Sequence, residues 1–463
     1  MQPTLTKNDA KQELLGKIKL FFAEIEIDPK ITEQQFIRME VRVDKFNVLR
    51  WLMYQKDVVK TYWRDRNHSF EMAGIGEADV VTGNSETDDS SMIFQRLKKY
   101  LRKAAPGLRY YGGIRFSLRG ASDEHWKKFG AYRFIVPKFE IYSDKEATYF
   151  ACNFLFNPFK NYQQQLESIL EALNDIYWDA PEYFPAMPEM LSRKDVPNRS
   201  GWRKNIESAL KLFAKRQMDK IVLARKTVIE FSEKLNAVEL LRRLQKTDDT
   251  AFHFCFQPNE NHAFIGASPE RLYRRNNRKI FSEAIAGTRQ RGQSSEEDET
   301  LENDLLSSEK DLREHRYVLD SVRNSFQKLC MRLDETRGLF VLKLSRLQHL
   351  YAKMQGILKR GVSDAALIHE LHPTPAVGGS PTNQAISHIA ALEPFDRGWY
   401  AGPVGWVGQN SAEFAVAIRS GLVARNKLYL YSGAGIVAGS YADQEWDEIE
   451  NKISNFMKAL DCY

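Results

Sequence analysis

The amino-acid sequence predicts an α+β protein with large, mostly antiparallel β-sheets flanked by helices. Long helical patterns lie between consecutive strands, and several strands are joined by tight hairpins instead of helices, which is typical of this class. Apolar residues recur at helical spacing over residues 8–25, 162–177, 237–246, 298–330 and 441–460. Strand patterns fill most of 36–150, and others lie at 220–231, 251–257, 263–267, 399–407, 412–423 and 427–432.

A proline-rich stretch, residues 179–199, divides the predicted elements into two groups. It holds four prolines, and proline both removes a backbone donor and disfavours helix in the residue before it. We therefore expect an N-terminal half, 1–199, and a C-terminal half, 200–463. Ser200 is predicted to cap the first helix of the second half.

Composition narrows the classes of protein that this chain can represent. With 463 residues and 43% hydrophobic content, it can bury a large core. The net charge of +6 comes from 67 basic and 61 acidic residues that are interleaved along the chain, whereas a nucleic-acid binder concentrates its basic residues. We therefore expect no nucleic-acid partner.

The cysteines and the apolar runs predict a cytoplasmic protein. The four cysteines, Cys152, Cys255, Cys330 and Cys462, are far apart and form no CxxC pair, so a thiolate zinc site is not expected. No run of 18 apolar residues exists, and the first residues mix charges into their apolar pattern. We expect neither a signal peptide nor a membrane partner.

Acidic residues on two predicted helices suggest a metal site. In the closing helix, Glu445, Glu448 and Lys452 have spacing i, i+3, i+7 and share one face. Asp311 and Glu314 lie three apart on the 298–330 helix. Two carboxylates facing two others would form an oxygen-rich site suited to Mg²⁺. Each helix alone fits a solvated charged face equally well.

A lysine and a glutamate are candidates for proton transfer. Lys220 begins a strand that is apolar on both faces, and a desolvated lysine can serve as a base. Glu270 follows a Ser-Pro turn between two strands, where a buried neutral carboxyl could donate a proton. A buried Lys–Glu ion pair would give the same sequence pattern.

The hairpin near 411–432 and the two glycines just after it suggest an anion site. Strand alternation puts Arg419 beside the small residues Ala415 and Ala417, which leaves room for a planar carboxylate. Gly433 and Gly435 allow backbone N–H groups to approach an anion closely. An arginine paired with a core acid and an ordinary turn are the alternatives.

Together these segments resemble the chorismate-utilising enzymes, a family that includes anthranilate synthase, aminodeoxychorismate synthase, isochorismate synthase and salicylate synthase. The matching motifs span about 219–452 in the order of the family: DKIVLAR, GASPERL, EAIAGTR, KDLREH, LHPTPAVGG, YAGPVGW, FAVAIRSGLV, SGAGIVAGS and EWDEIENK. The resemblance implies an anthranilate synthase-like fold, a sandwich of large sheets built from two intertwined subdomains. It also implies chorismate as the substrate and Mg²⁺ as the cofactor.

Differences within the family favour one reaction. Aminodeoxychorismate synthases carry a nucleophilic lysine where this chain has Ala286, and anthranilate synthases lack the lysine that corresponds to Lys220. Family members with that lysine use water as the nucleophile, so an isochorismate synthase or a salicylate synthase is implied. The LHPTPAVGG motif looks more like isochorismate synthase.

The resemblance also assigns a role to each matching position. Lys220 is the base and Glu270 the acid. Metal contacts fall to Glu314 and Glu448, with Glu445 and Asp311 in support through water. The positions implied to bind substrate are Gly287, Thr288, His372, Tyr400, Arg419, Gly433, Gly435 and Lys452. For His372 a role in the protein core is an equal alternative, and His315 is assigned to packing or support.

Other functions remain open at this level. A salicylate synthase would add pyruvate elimination to the same first step. A basic adaptor or nucleic-acid binder would have no enzymatic role, and a degenerate family member is disfavoured because every proposed catalytic position is filled. We expect a monomer or weak homodimer that serves menaquinone synthesis, with a siderophore or salicylate pathway as the alternative.

Overall fold

A computed structural model describes residues 4–83, 89–103, 105–118, 122–335, 338–343 and 347–461, without the side chains of Thr288, Glu335 and Leu347. The helices are α1 Lys7–Ile27, α2 Val48–Tyr54, α3 Ser90–Leu101, α4 Tyr162–Asn174, α5 Arg199–Ala214, α6 Ala237–Thr247, α7 Ser295–Ser307, α8 Glu309–Leu329, α9 Asp364–Leu371, α10 Thr382–Leu392 and α11 Ala442–Ala459. The strands are β1 Gln35–Val43, β2 Lys60–Arg64, β3 Phe70–Ile75, β4 Asp79–Gly83, β5 Arg109–Ile114, β6 Tyr132–Val136, β7 Phe139–Asp144, β8 Thr148–Phe156, β9 Met190–Val196, β10 Lys220–Phe231, β11 Phe252–Asn259, β12 His262–Ser268, β13 Arg271–Asn276, β14 Lys279–Gln290, β15 Cys330–Glu335, β16 Phe340–Lys343, β17 Leu347–Leu358, β18 Gly379–Ser380, β19 Pro403–Gly408, β20 Ser411–Val416, β21 Ser420–Ala424 and β22 Lys427–Val437.

These strands form two large antiparallel sheets. In the first sheet, 12 strands have the order β1-β8-β7-β3-β2-β11-β12-β21-β22-β10-β18, with β9 paired to β10. In the second, 10 strands have the order β15-β17-β14-β13-β20-β19-β5-β6-β4, with β16 paired to β17. The predicted α+β class with large antiparallel sheets is confirmed.

Both sheets contain strands from both sides of residue 199. In the first sheet β2 pairs with β11, placing Tyr62 opposite Cys255. In the second sheet β5 pairs with β19, placing Tyr111 opposite Trp406. Part of the proline-rich stretch is itself a strand, because β9 pairs with β10. The two halves of the chain therefore share both sheets.

The largest core lies between the two sheets and is rich in aromatic side chains. Phe254 and Phe264 of the first sheet belong to the same buried cluster as Tyr273 and Phe414 of the second. A second core covers the other face of the first sheet, beneath residues of α1, α2, α4, α6 and α11. Helix α8 packs on β14 and β17 of the second sheet, and α11 packs on β22 of the first.

The helix predicted over 298–330 is interrupted at Ser308 and forms two helices, α7 and α8, so the prediction of one continuous helix was wrong. The chain is extended at Ser308, with φ −70° and ψ 109°, and Ser308 ends α7 and caps α8. Its Oγ accepts a hydrogen bond from the Asp311 N–H at 3.3 Å. Asp311 and Glu314 therefore lie near the N-terminal end of α8, where the helix dipole favours negative charge.

The strand predicted over 412–423 is also interrupted. Strand β20 ends at Val416 in the second sheet, and β21 begins at Ser420 in the first. Arg419, between them, has a positive φ of 48°. The chain crosses from one sheet to the other here, so Arg419 is presented by a bend and not by strand alternation.

The cap predicted for the helix after the proline-rich stretch lies two residues earlier than expected. Asn198 caps α5, because its side-chain oxygen accepts a hydrogen bond from the Gly201 N–H at 2.9 Å. Ser200 lies inside the first turn.

The described cysteines and helices add two observations. Cys152, Cys255 and Cys330 are buried free thiols, and Cys462 lies outside the described residues. Within the described ranges, no helix combines the length and apolar character that a membrane crossing requires.

We predict that residues 200–463 do not fold when they are expressed alone. Loss of β2 and β5 would expose the edges of β11 and β19, and open edges promote aggregation. Circular dichroism and thermal unfolding should show no cooperative transition, whereas the full chain should unfold cooperatively. A soluble, monomeric fragment with a sharp unfolding transition would contradict this prediction.

Candidate active site

A cavity of about 560 Å³ lies where α8 on one sheet approaches α11 on the other. The crossing between β20 and β21 supplies Ile418 and Arg419 to its wall. Its apolar lining includes Val222, Ile285, Ala286, Ala376, Val377 and Ile418. Its polar lining includes Glu270, Arg289, Lys310, Asp311, Glu314, His349, Tyr400, Arg419, Asp447, Glu448 and Lys452.

Glu270 is a buried acid on this wall, only 5% exposed, between β12 and β13. Its pKa is raised to about 7: burial is the largest cause and the charge of Glu283 adds to it, while a hydrogen bond from Thr374 and the charges of Lys220 and Lys452 act in the opposite direction. The Thr374 Oγ1 lies 3.4 Å from the Glu270 Oε1. A carboxyl with such a pKa can hold a proton near neutral pH and release it.

Lys220 is completely buried at the start of β10 and does not itself line the cavity. Its Nζ donates to the Glu314 Oε1 at 2.7 Å, and Glu314 does line the cavity. Gly435 makes room for this ion pair, because a Cβ there would lie 2.5 Å from the Glu314 Oε1 and 3.1 Å from the Lys220 Cε. Gly435 is therefore next to the lysine and not on the cavity wall, where it was expected to bind an anion.

Each of the four carboxylates predicted to serve a metal forms an ion pair with a basic side chain. These pairs are Glu314–Lys220 at 2.7 Å, Glu448–Lys452 at 2.6 Å, Glu445–Lys310 at 3.0 Å and Asp311–Arg289 at 2.8 Å. Within the described part of the chain, no three His, Cys, Asp or Glu side chains are grouped to hold a metal ion. A shared metal would require some of these pairs to open.

The charges around Lys310 nevertheless fit a divalent cation. Glu445, Glu448 and Glu314 all raise the pKa of Lys310, although burial lowers it, so one ammonium interacts with three carboxylates. The Glu445 Oε2 is buried and has no hydrogen-bond partner among the described residues. Burial, followed by the charge of Glu448, raises the pKa of Glu445. Carboxylate oxygens crowded in this way suit a hard cation such as Mg²⁺.

Other residues of the cavity wall are suited to an anion. Arg419 is nearly buried, and its nearest carboxylate is Asp248, with Nη1 and Oδ2 3.5 Å apart. That Nη1 makes no hydrogen bond within the described residues. The Lys452 Nζ donates to the Gly433 carbonyl at 2.9 Å, and the buried Tyr400 stacks on Tyr431.

Gly287 marks a bulge in the cavity wall. On β17, Leu350 lies opposite Ala286 and His349 opposite Thr288, so Gly287 has no opposite residue. Its φ of +76° is a conformation that glycine adopts readily. The side chain of Thr288, predicted to bind substrate, lies outside the described part of the structure.

The structure corrects the expectation that His372 lines the cavity. Its Nε2 lies 3.0 Å from the Phe116 carbonyl oxygen, and its ring meets the Phe116 ring edge-on at 5.7 Å. The core alternative therefore describes His372, and burial lowers its pKa to about 4. His315 is buried as well, and neither of its ring nitrogens has a hydrogen-bond partner among the described residues.

Several wall residues were missed by the sequence analysis. Lys310, on the wall, and Thr374, which contacts Glu270 from behind the lining, lie inside the KDLREH and LHPTPAVGG motifs, which could have indicated them. His349 is buried on the wall with its Nδ1 3.3 Å from the Gly287 carbonyl oxygen, and burial lowers its pKa to about 3. No spacing signal marks His349, because only the pairing of β14 with β17 brings it to Gly287.

Known proteins match this chain over nearly its whole length. Residues 23–461 match the family model described as chorismate binding enzyme. Isochorismate synthase 2, chloroplastic, from Arabidopsis thaliana is 31% identical over 95% of this chain and 83% of its own length. Isochorismate synthase MenF from Bacillus subtilis (strain 168) is 30% identical over 86% of this chain and 87% of its own length.

A solved structure matches the fold as well. The structure of MenF, the menaquinone-specific isochorismate synthase from Escherichia coli, superposes with a TM-score of 0.82 and 27% identity. The match covers 96% of this chain and 99% of that one. The motifs, the fold and the cavity thus agree with the family match, and the chain belongs to the chorismate-binding enzyme family.

Proposed function

We propose that this protein is an isochorismate synthase, which converts chorismate to isochorismate by adding water at ring position 2 and releasing the hydroxyl at position 4. The observation that carries the proposal is the buried acid Glu270, with a pKa of about 7, on a cavity wall that also carries Arg419 and Glu314, the partner of the buried Lys220. The names of the matching relatives support the same reaction.

Glu270 acts as the general acid. Near neutral pH a large fraction of its carboxyl groups carry a proton, because burial disfavours the charged form. The proton passes to the hydroxyl at ring position 4 as that bond breaks, so that water and not hydroxide departs. General acid catalysis of this kind contributes about 10² to 10⁴-fold to the rate.

Lys220 acts as the base that takes a proton from the attacking water. A base must present a lone pair, and an amine that donates one hydrogen bond, as the Lys220 Nζ does to Glu314, can still offer one. Full burial shields the amine from bulk solvent and excludes competing proton exchange.

The remaining wall residues hold the two carboxylates and the ring of the substrate. The Nη1 of Arg419 has a free hydrogen-bonding position, and guanidinium groups bind carboxylates strongly. Lys452 and Tyr400 add a charge and a hydroxyl on the same wall. Val222, Val377 and Ile418 offer an apolar surface to the ring.

Glu314 and Glu448 would hold a magnesium ion, with Glu445 and Asp311 in support. When bound, the ion would neutralise the ring carboxylate of chorismate, which the acidic residues of this wall would otherwise repel. The crowding of three carboxylates around Lys310 supports this assignment.

The motifs and the relatives also support a product and a pathway. We propose isochorismate as the final product instead of salicylate, because of the LHPTPAVGG motif and the names of the relatives. We propose menaquinone synthesis as the pathway, since the Escherichia coli relative of known structure is the menaquinone-specific enzyme. A cytoplasmic location and a monomer or weak homodimer are the corresponding proposals from the sequence.

Product analysis tests the function. Purified protein incubated with chorismate and Mg²⁺ should yield isochorismate by liquid chromatography, and a chelator should abolish the conversion. In Lys220→Ala we expect a rate loss of about 10² to 10⁴-fold, because the base is removed. Salicylate formed without a partner lyase would instead indicate a salicylate synthase, and wild-type turnover by Lys220→Ala would refute the role of the lysine.

The activity should fall as the pH rises through about 7. Glu270 must be protonated to act as an acid, and its pKa in the free protein is about 7, so kcat/KM should decrease about tenfold per pH unit above that value. Initial rates across a pH series measure this limb. Glu270→Gln should lose activity at every pH, and an unchanged profile in that variant would exclude Glu270 as the acid.

Glu448→Gln should raise the Mg²⁺ concentration that gives half-maximal rate by about tenfold or more, because a charged ligand is lost. Asp443→Asn is the matched control, since Asp443 lies on the same helix but pairs with the exposed Arg203. Mg²⁺ titrations of the initial rate give both values. Equal metal requirements in wild type and Glu448→Gln would remove Glu448 from the metal site.

A further inference from the structure

A buried network of alternating charges lies directly behind Glu270. Arg66 donates from Nη2 to both carboxylate oxygens of Glu283, at 2.7 and 2.9 Å. Arg271 donates from Nη1 to the Glu283 Oε1 at 2.6 Å and from Nε to the Glu413 Oε1 at 3.0 Å. Glu283 thus joins two arginines, and its side chain is only 1% exposed.

The charge network holds the residues immediately before and after Glu270. The Arg66 Nη1 donates to the carbonyl of Pro269, the residue before Glu270, at 2.7 Å. Arg271, the residue after Glu270, is tied to Glu283 and Glu413. One carboxylate, Glu283, therefore links the anchors that precede and follow the acid in the chain.

The direct contacts of Glu270 itself are longer. Its N–H lies 3.3 Å from the Ser268 Oγ, and its carboxyl lies 3.4 Å from the Thr374 Oγ1. Its carbonyl accepts a hydrogen bond from the Val416 N–H at 3.0 Å. The short, charge-assisted bond to the Pro269 carbonyl is thus a stronger restraint on this peptide than the bonds of the acid side chain.

Arg66 comes from the N-terminal half of the chain. It lies in the turn between β2 and β3, where the Asp65 Oδ1 accepts from the Ser69 N–H at 2.7 Å and the Asp65 N–H donates to the Phe70 carbonyl. Its guanidinium lies 5.8 Å from the centre of the Phe252 ring. The β2–β3 turn therefore places Arg66, in a restrained position, beside the candidate active site, whose other residues come from 219–452.

We propose that Arg66 and Glu283 are positioning residues for Glu270: together they fix the Pro269–Glu270 peptide and set the electrostatic surroundings of the acid. This inference rests on the proposed function only in that Glu270 is the group that donates the proton. It extends the site to the N-terminal half of the chain.

Charged groups face Glu270 from several elements. The ammonium groups of Lys220 on β10 and Lys452 on α11 favour its ionised form, and the carboxylate of Glu283 on β14 favours its protonated form. Tyr400 is a neutral neighbour, since burial raises its pKa. Removing Glu283 or Arg66 should therefore change the ionisation of Glu270 in opposite directions.

Two substitutions test this opposition. Glu283→Gln removes a negative charge, so the alkaline limb of kcat/KM should move to lower pH by about 0.5 unit or more. Arg66→Met removes a positive charge and leaves Glu283 with one arginine fewer, so the limb should move to higher pH. A purely structural role predicts no opposite shifts.

A third substitution separates position from charge. Arg66→Lys keeps the positive charge, but an ammonium cannot reproduce the fork that holds the Pro269 carbonyl and Glu283 together. We expect the pH limb to stay near its wild-type value while kcat falls about tenfold or more, because a small displacement of the acid is costly. KM should change little, since Arg66 does not line the cavity.

The pair formed by Arg275 and Asp364 is the matched control. It is also a buried two-bond ion pair, with Nε and Nη2 at 2.7 and 2.8 Å from the two carboxylate oxygens, and Arg275 lies on the same strand as Arg271. Its side chains are 10% and 2% exposed, against 8% and 1% for Arg66 and Glu283. Asp364→Asn should lower the unfolding temperature without moving the pH limb.

An infrared measurement makes the test independent of turnover. The C=O stretch of the protonated Glu270 carboxyl, assigned by its loss in Glu270→Gln, should titrate at lower pH in Glu283→Gln and at higher pH in Arg66→Met. Unchanged or parallel shifts, or an equal shift in Asp364→Asn, would overturn the inference. Wild-type protein that makes no isochorismate would refute the proposed function alone, because the infrared titration would still report on the network.

Discussion

The removal of ionisable groups from water is the constraint on which the rest of the site depends. Lys220 has no exposed surface and Glu270 very little, and burial is the largest influence on the pKa of Glu270. A buried charge is tolerated only when it is paired and hydrogen-bonded. The lysine therefore meets Glu314, whereas the glutamate, without such a partner, tends to keep its proton.

The same constraint explains the number of ion pairs around the cavity. Each of the carboxylates on α8 and α11 that we assign to a metal lies against a lysine or arginine. These contacts compensate charge that a divalent cation and a dianionic substrate would otherwise compensate. Binding of a cation and an anion in the proposed site would replace one partner of such a pair by another, without leaving a buried charge alone.

The position of the site residues depends on both halves of the chain, because the two halves share both sheets. Strands of the N-terminal half lie in both sheets, and the pairing of β2 with β11 brings the turn that carries Arg66 to the segment before Glu270. The chain crosses between the sheets at 417–419, which presents Arg419 to the cavity. The position of Arg66 could not be stated from one half of the chain, because it depends on the pairing of β2 with β11.

The class of fold, most of its elements and the residue types of the site could be predicted from the amino-acid sequence. Periodicity depends on neighbours along the chain, so it located β10, α6 and α11 closely, and the motifs indicated Lys220, Glu270, Glu314 and Arg419. The periodicity of apolar residues did not predict two breaks, because at each break a continuous element and an interrupted one fit the local sequence almost equally well. Helical spacing continues through Ser308, yet the chain breaks there, and alternation continues to Arg419, yet the strand ends at Val416.

Which side chains meet depends on how distant segments pack, and this could not be predicted from the chain alone. In the fold, His372 contacts Phe116, His349 lies near Gly287, and Arg66 binds the Pro269 carbonyl. These contacts join residues far apart in the chain, and their energies depend on burial and on the partner that is present. The sequence shows which charged residues are present. The packing of the two sheets decides which of them are buried away from water and therefore need an oppositely charged or hydrogen-bonding partner.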